Sequence, residues 1–269
     1  MLKMFNDNAY RHRHLITLLA TYEQFRVYHL IFPCADDDLT GYWSRKEPNP
    51  SFELKTIKWV AEQCEGIAEG LHRIHKYQTS SSKASAHEKR YGRHGDLKPE
   101  NILWFSNDNG GMLMISDFGL AEYSTNHSRS YKHKSRVATS MSYRPPECDL
   151  KDGQIGQSYD IWTLGCLYLE FITWLLGGWG LVKEFEKKRM SFDPMWYDID
   201  TDAFFELVQC DNNKRPGVIA AMVKPAVTEV RTRPPLKLAG HPTDMSNSLS
   251  KSFTRTSHVQ TSYTTSSTW

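Results

Sequence analysis

Residues 93–103, RHGDLKPENIL, bring together side chains suited to handling a phosphate and a divalent cation. Asp96 is followed by Lys98 and Asn101, and Asp117 comes one short segment later. Asp96 and Asn101, with Asp117 from the next loop, can converge on one divalent cation with oxygen ligands. A nearby lysine can offset the charge of a phosphate while one of these carboxylates accepts the proton of an attacking hydroxyl. The spacing therefore predicts phosphoryl transfer from a metal-bound nucleotide.

Two apolar runs predict the hairpin that positions these side chains. ILWF (102–105) and MLMIS (112–116) are separated by SNDNGG, which is a strong turn signal. Asn101 precedes the first run and Asp117 follows the second. We therefore expect both side chains at the open end of one hairpin.

The surrounding sequence predicts a mixture of strands and helices. HLITLLATYE (14–23) and FRVYHLIFPC (25–34) are rich in branched and aromatic residues and predict two strands joined by a tight turn. From Leu54 to about Lys76, apolar residues recur at alternating spacings of three and four, which predicts a helix with one core-facing stripe. DIDTDAFFELVQ (198–209) predicts a surface helix.

Composition excludes several classes of protein. Lysine and arginine number 33 against 31 acidic residues, so the net charge of +2 gives no reason to expect a nucleic-acid partner. The five cysteines contain no CxxC pair, which argues against a zinc ribbon and a disulfide framework. The N-terminal sequence shows no signal-peptide pattern. We expect an intracellular protein, cytoplasmic or nuclear.

One apolar segment, IWTLGCLYLEFITWLLGGWGLV (161–182), is long enough to span a bilayer and carries a single charge, Glu170. A carboxylate in the middle of the run is unfavourable in lipid, and the segment also contains four glycines. A helix that is apolar all round is also what the interior of a soluble domain requires. We therefore expect a buried helix and no membrane span, with a membrane protein as the less favoured alternative.

Four motifs together resemble the eukaryotic protein kinase catalytic domain of the serine/threonine type. They are HGDLKPEN (94–101), DFG (117–119), PPE (145–147) and YDIWTLGC (159–166). Each is weak alone, but four in the right order are hard to obtain by chance. The resemblance covers about residues 1–182 and implies an α+β fold, with a truncated small β lobe and a mainly helical large lobe.

The resemblance also implies roles for individual residues. Asp96 corresponds to the catalytic base and Lys98 to the lysine that steadies the transferring phosphate, while Asn101 and Asp117 correspond to Mg²⁺ ligands. Lys98, Glu100, Asn101 and Asp117 are all expected at the bound ATP. The form of the loop at Lys98 and Glu100 implies transfer of the ATP γ-phosphate to a serine or threonine hydroxyl of a protein substrate.

Other implied positions lie outside that loop. YHLIFPCADDDL resembles the strand that enters the hinge, which makes Ile31 the gatekeeper and the backbone from Phe32 to Cys34 the adenine contact. Asp160 is implied to tie the buried helix to the backbone of the catalytic loop. Glu147 would pair with a later arginine; Arg215 is a candidate, although a solvated surface position is the favoured interpretation for it.

Two departures from the family pattern affect the expected activity. Gly95 stands where most kinases carry the arginine that grips a phosphorylated activation segment, so we expect activity that does not depend on phosphorylation of that segment. The sequence before Asp96 contains no GxGxxG loop and no lysine in a VAIK-like strand. Losing one charge-stabilising group typically lowers the rate by about 10²- to 10³-fold. We therefore expect the chain as written to be a poor kinase.

The sequence divides into three predicted regions: a remnant of the small lobe and hinge (1–45), a large lobe (46–223) and a tail (224–269). Serine and threonine make up about half of the chain from residue 240, which predicts disorder in the tail. QTSSSKASAHEKR (78–90) is predicted to be a solvated insert with a regulatory or docking role. The main alternative to a kinase is a catalytically inactive, kinase-like scaffold. Nothing in the sequence indicates the oligomeric state.

Overall fold

The computed structural model describes residues 11–76, 90–117, 122–125, 140–150, 153, 155–193, 199–210 and 218–230. All of them belong to one compact unit, Met1–Arg233, and a second unit, Pro234–Trp269, lies outside the described residues. Several predictions concern positions that are also outside them. These are the insert before Arg90, the last two residues of DFG, Arg215 and the Ser/Thr-rich tail from residue 240.

The described residues form a mixed α+β structure. The strands are β1 (Ala20–Gln24), β2 (Val27–Ile31), β3 (Asp37–Asp38), β4 (Arg90–Arg93), β5 (Ile102–Phe105), β6 (Met112–Ile115), β7 (Glu122–Thr125), β8 (Ser191–Phe192), β9 (Asp200–Thr201), β10 (Phe205–Cys210) and β11 (Val218–Val223). The longer helices are α1 (Leu54–Lys76), α2 (Gln157–Arg189) and α3 (Pro225–Val230), and a short helical segment covers residues 39–46. The predicted fold class is confirmed.

The predicted N-terminal hairpin is confirmed, with shorter strands than expected. Strands β1 and β2 pair antiparallel through Gln24 and Val27. Phe25 and Arg26 form the turn with φ values of 51° and 65°. Two successive positive φ values give a tight turn whose twist matches that of the paired strands.

In the sheet β3–β5–β6, Asn101 lies directly before β5 and Asp117 lies just after β6. Strands β5 and β6 form the predicted antiparallel hairpin, with Ile102 opposite Ile115. The N-terminal segment adds to its edge, because the Ile16 amide donates to the Ile115 carbonyl at 3.0 Å and the Ile115 amide donates to the His14 carbonyl at 2.8 Å. Strand β4, just before the catalytic motif, pairs antiparallel with β7. The β5–β6 hairpin therefore brings the segments that carry Asn101 and Asp117 to one end.

Helix α1 packs its predicted stripe into the main core. Val60, Ile67, Leu71 and Ile74 are all buried. Ile57 and Cys64, the remaining members of the stripe, are partly buried against the same core. The alternating spacing of three and four residues thus identified the face that this helix buries.

Helix α2 is the central buried helix, and it breaks at Gly177 and Gly178. Gly178 has φ of +70°, and the Trp179 amide donates to the Pro48 carbonyl at 2.8 Å. In the described part of the chain, α2 is the one helix long and apolar enough to cross a membrane by length and composition, but more than half of its most apolar 18-residue window is buried inside the protein. Its packing fits the predicted core helix.

The prediction of a surface helix over residues 198–209 is wrong. Asp200–Thr201 is the short strand β9, and Phe205–Cys210 is strand β10, which pairs along its whole length with β11. The apolar run of β11 supplies backbone partners that local charge spacing cannot reveal, and such pairing overrides helix propensity. Just beyond, α3 begins at Pro225 and buries Val227, inside the segment that was predicted as tail.

Candidate active site

The catalytic motif brings Asp96, Lys98 and Asn101 into direct contact. Lys98 Nζ lies 2.9 Å from Asp96 Oδ2. Asn101 Nδ2 donates to Asp96 Oδ2 at 2.9 Å and to the Asp96 carbonyl at 2.8 Å. Both contacts are made with Oδ2, and within the described residues no hydrogen bond to Oδ1 is present. The predicted base, lysine and amide therefore form one cluster.

A single helical turn explains how Asn101 reaches back to Asp96. Pro99 stands at the first position of the turn Pro99–Asn101, where a proline loses no intrahelical hydrogen bond. The Asn101 amide donates to the Lys98 carbonyl at 3.0 Å and closes the turn. Glu100 is exposed on this turn, whereas Pro99 and Asn101 are buried. The LKPEN sequence thus folds the loop so that its polar side chains converge.

Asp117 is joined to the same cluster through the backbone. Ser116 donates to the Asn101 carbonyl twice, from its amide at 2.9 Å and from its hydroxyl at 3.0 Å. Asp117, the next residue, is exposed and has φ of +55°. A non-glycine residue in this left-handed conformation stores backbone strain, which is common at functional sites. The hairpin thus places Asp117 beside Asn101, as the sequence predicted.

The donor set fits a hard divalent cation. With Nδ2 of Asn101 donating to Asp96, the amide oxygen Oδ1 accepts no hydrogen bond within the described residues and can serve as a ligand. No group of three or more His, Cys, Asp or Glu side chains converges among those residues. A cation bound by Asn101 and Asp117 would complete its shell with phosphate and water oxygens, which is how Mg²⁺ is commonly held.

His94 connects the loop to the hairpin exit as a neutral imidazole. Its ring is fully buried, and Nε2 lies 2.8 Å from the Ser116 carbonyl, which can only accept. Nδ1 accepts from the Asp96 amide at 3.2 Å. Burial lowers the pKa of His94, while nearby carboxylates, chiefly Asp160, act in the opposite direction. One proton on Nε2 therefore satisfies both ring nitrogens.

Asp160, at the start of α2, anchors the catalytic loop. Its carboxylate is fully buried and accepts from the amides of His94 and Gly95, both at 2.8 Å. His75 Nε2 makes a third contact at 2.8 Å. The tie between the buried helix and the loop backbone that the resemblance implied is therefore confirmed. Gly95 has φ of +86°, a conformation that glycine adopts without steric cost.

Two contributors to this anchor were missed by sequence reasoning. His75 lies in the last turn of α1, and Gln157 in the first turn of α2. Gln157 Nε2 donates to the carbonyls of His75 at 2.8 Å and Gly92 at 3.1 Å. The position of His75 at the end of the predicted helix, just before the predicted insert, is the sequence signal that could have indicated it.

The predicted hinge residues lie apart from this hydrogen-bonded cluster. Ile31 is 43% exposed at the end of β2, and Cys34 is an exposed free cysteine. Phe32 packs against the main core. Within the described residues, no hydrogen bond joins Ile31 or Cys34 to the catalytic loop. The Asp36 amide donates to the Trp104 carbonyl at 3.1 Å. The segment after β2 therefore leads from the β1–β2 hairpin into the sheet that carries the site.

The predicted partner of Glu147 falls outside the described residues. Glu147 accepts a hydrogen bond from the Ser158 hydroxyl at 3.3 Å. Directly before the PPE motif, Arg144 makes buried ionic contacts. Its Nε donates to Asp149 at 2.8 Å, and its side chain also contacts Asp193. Sequence reasoning did not anticipate this arginine.

Comparison with known proteins agrees with this geometry. Residues 3–176 match the protein kinase domain. CTD kinase subunit alpha from Schizosaccharomyces pombe is 31% identical over 163 residues, covering 61% of this chain and 24% of the relative. Cyclin-dependent kinase C-1 from Arabidopsis thaliana is 33% identical over 144 residues, covering 54% and 24%. Cyclin-dependent kinase 2 from Caenorhabditis elegans is 30% identical over 165 residues, covering 60% and 38%.

The chain spans less than two fifths of the length of each of these relatives. The match to the kinase domain nevertheless covers more than half of the chain and includes every residue of the Asp96 cluster. The four sequence motifs, the hydrogen-bonded loop and the family match agree. The chain belongs to the protein kinase family.

Proposed function

We propose that this chain binds ATP with Mg²⁺ and transfers the γ-phosphate to a serine or threonine hydroxyl of a protein substrate. The observation that carries the proposal is the cluster of Asp96, Lys98 and Asn101. In it, the Asp96 carboxylate contacts both the Lys98 ammonium group and the Asn101 side-chain amide. Asp96 is the base that accepts the hydroxyl proton, and Lys98 offsets negative charge on the transferring phosphate. The loop is positioned for this task by Asp160 and His94.

Asn101 and Asp117 are the proposed magnesium ligands. The cation would neutralise charge on the ATP phosphates and so supply electrostatic stabilisation. The support is the uncommitted amide oxygen of Asn101 and the placement of Asp117 one residue beyond the Ser116 contacts. Glu100, on the same turn, is proposed to lie near the bound nucleotide.

The adenine ring is proposed to contact the backbone from Phe32 to Cys34, with Ile31 as the gatekeeper. The support is the position of this segment between β2 and the sheet that carries the loop. The sequence pattern supports an intracellular location, cytoplasmic or nuclear, and we propose no nucleic-acid partner.

A second candidate function is a kinase-like scaffold that binds partners without turnover. The observation that favours it is the small hairpin: neither β1 nor β2 contains a lysine, so these strands offer no amine to the ATP phosphates. The two candidates differ in whether the Asn101 and Asp117 region binds nucleotide with metal.

Magnesium-dependent ATP binding, measured by thermal shift, separates the candidates. We expect a rise in melting temperature that requires both ATP and Mg²⁺ and is lost in Asp117→Asn. Asp108→Asn is the matched control, because it makes the same change in the exposed turn of the β5–β6 hairpin and should leave the shift intact. Asp96→Asn should keep the shift but abolish phosphate transfer to a dephosphorylated test protein. A folded wild-type sample without any shift would refute the kinase proposal and favour the scaffold.

A further inference from the structure

Three consecutive residues, Ser142, Tyr143 and Arg144, donate to acidic side chains of the large lobe. They lie immediately before the PPE motif, and Tyr143 and Arg144 are buried. We name these contacts the carboxylate clamp. Its pairs are Ser142 Oγ with Asp202 Oδ1 at 2.5 Å, the Tyr143 hydroxyl with Glu170, Arg144 Nε with Asp149 at 2.8 Å, and Arg144 Nη2 with Asp193.

Arg189, at the end of α2, holds two of the acids in the clamp. Its Nη2 lies 2.7 Å from Glu170 Oε1 and 3.5 Å from Asp202 Oδ2, and its Nε donates to the Asp202 carbonyl at 3.0 Å. The guanidinium is fully buried between the rings of Phe185 and Phe204, with its carbon 4.0 Å from each ring centre. A planar, permanently charged group can make these contacts at once, whereas a neutral side chain would take away the cation that pairs with Glu170 and leave it with the Tyr143 hydroxyl as its donor.

The clamped segment leads into the PPE motif, which is tied to the same end of α2 as the catalytic loop. Glu147 accepts a hydrogen bond from the Ser158 hydroxyl at 3.3 Å, and Asp160, two residues further on, accepts from the amides of His94 and Gly95. The Arg144 side chain also donates to the Met141 carbonyl at 2.6 Å and so fixes the turn of the segment. Gly95 in the loop has no side chain with which to hold this segment.

We propose that Arg189 is a positioning residue: by holding Glu170 and Asp202, it keeps residues 142–144 ordered, and this ordered segment contributes to the binding of a protein substrate. This inference rests on the proposed kinase function for its consequence in catalysis, but the ordering itself does not require nucleotide. Arg189 is far along the sequence from the kinase motifs and acts through other side chains.

Hydrogen exchange in the full chain tests the ordering directly, without nucleotide. In Arg189→Met, which removes the charge but keeps much of the volume, we expect the amides of residues 142–144 to exchange at least about tenfold faster. Lys188→Met is the matched control, because Lys188 forms an exposed ion pair with Glu184 at 2.9 Å and should leave exchange in the segment unchanged. Arg189→Lys should restore part of the protection, since it keeps the charge but lacks the planar fork of donors with which the guanidinium contacts Glu170 and Asp202 together.

Steady-state kinetics test the catalytic consequence. We expect Arg189→Met to raise KM for the protein substrate by about tenfold or more while KM for ATP changes less than about twofold. If Arg189→Met does not fold, Tyr143→Phe decides, because it removes one clamp bond and should speed exchange in residues 142–144 alone.

Each outcome bears on one proposal. Unchanged exchange in folded Arg189→Met, or in Tyr143→Phe where the first variant does not fold, would overturn the positioning role. If exchange is faster in Arg189→Met while the wild-type protein binds no ATP, the clamp is supported and the kinase function is refuted. Equal rises in both KM values would contradict a role confined to the substrate side.

Discussion

The buried carboxylate of Asp160 allows a quantitative test of how the catalytic loop is held. It accepts from the amides of His94 and Gly95, and all three residues are buried. Asp160→Ala removes both acceptors and leaves the two amides without partners in a region that water does not reach.

The expected loss of stability follows from those two amides. Each buried donor left unpaired costs about 1–3 kcal/mol, so the substitution is expected to destabilise the protein by about 2–6 kcal/mol. That is a large fraction of the roughly 5–15 kcal/mol by which a domain is stable. Asp160→Asn keeps one acceptor oxygen and turns a donor toward the other amide, so we expect about half of the loss.

Urea titration followed by tryptophan fluorescence measures this loss, with Asp36→Ala as the matched control. Asp36 also accepts two hydrogen bonds, from the Ser106 amide at 2.8 Å and from the Ser106 hydroxyl at 2.9 Å, but it is exposed. Water can replace an exposed carboxylate, so the control should lose less than about 1 kcal/mol. Equal losses in the two variants would refute the argument that burial makes the Asp160 bonds decisive.

Three further predictions concern single residues. Gly95→Ala should destabilise by about 1–2 kcal/mol because of its φ of +86°, whereas Gly165→Ala, in open space on α2, should stabilise by up to about 1 kcal/mol; urea midpoints that move in the same direction would contradict this. Burial lowers the pKa values of His14 and His94, so on acidification the unfolded chain takes up protons at these residues before the folded protein does. Stability should therefore fall on acidification, by up to about 1.4 kcal/mol per histidine between about pH 7.5 and about pH 5.5, and His14→Gln should remove one such share; an unchanged pH dependence in that variant would count against the assignment. Because Gly95 lacks a side chain, phosphatase treatment should leave ATP affinity and any transfer activity unchanged, and a loss of either would disprove independence from phosphorylation.

Local sequence patterns were sufficient to predict the elements that are stabilised by contacts between nearby residues. The stripe of α1 and the β5–β6 hairpin depend on residues close together in the chain. The first hairpin was also predicted, but its turn lies at Phe25 and Arg26, which the sequence pattern placed in the second strand. The Asp96 cluster is equally local, because its contacts span at most five residues. Short-range spacing therefore predicted the candidate base, lysine and amide.

Contacts between distant residues were beyond that reasoning. Glu170 and Arg189 are 19 positions apart, and His75 and Asp160 are 85 positions apart. A buried arginine looks in sequence like any surface cation, since the burial of Arg189 depends in part on Phe204, 15 positions further along the chain. Partners contributed by tertiary packing are what a single sequence does not reveal.

The Gln157 bridge has a consequence for how this chain can change in evolution and in the laboratory. One side-chain amide bonds the carbonyl of His75, near the last residue of α1, and the carbonyl of Gly92, within β4. With both ends held, doubling the number of residues between them adds only about 0.6 kcal/mol of closure entropy. The stretch between Lys76 and Arg90 is therefore a place where length can drift between related genes, and where a reporter peptide can be inserted while Asp96 keeps its neighbours.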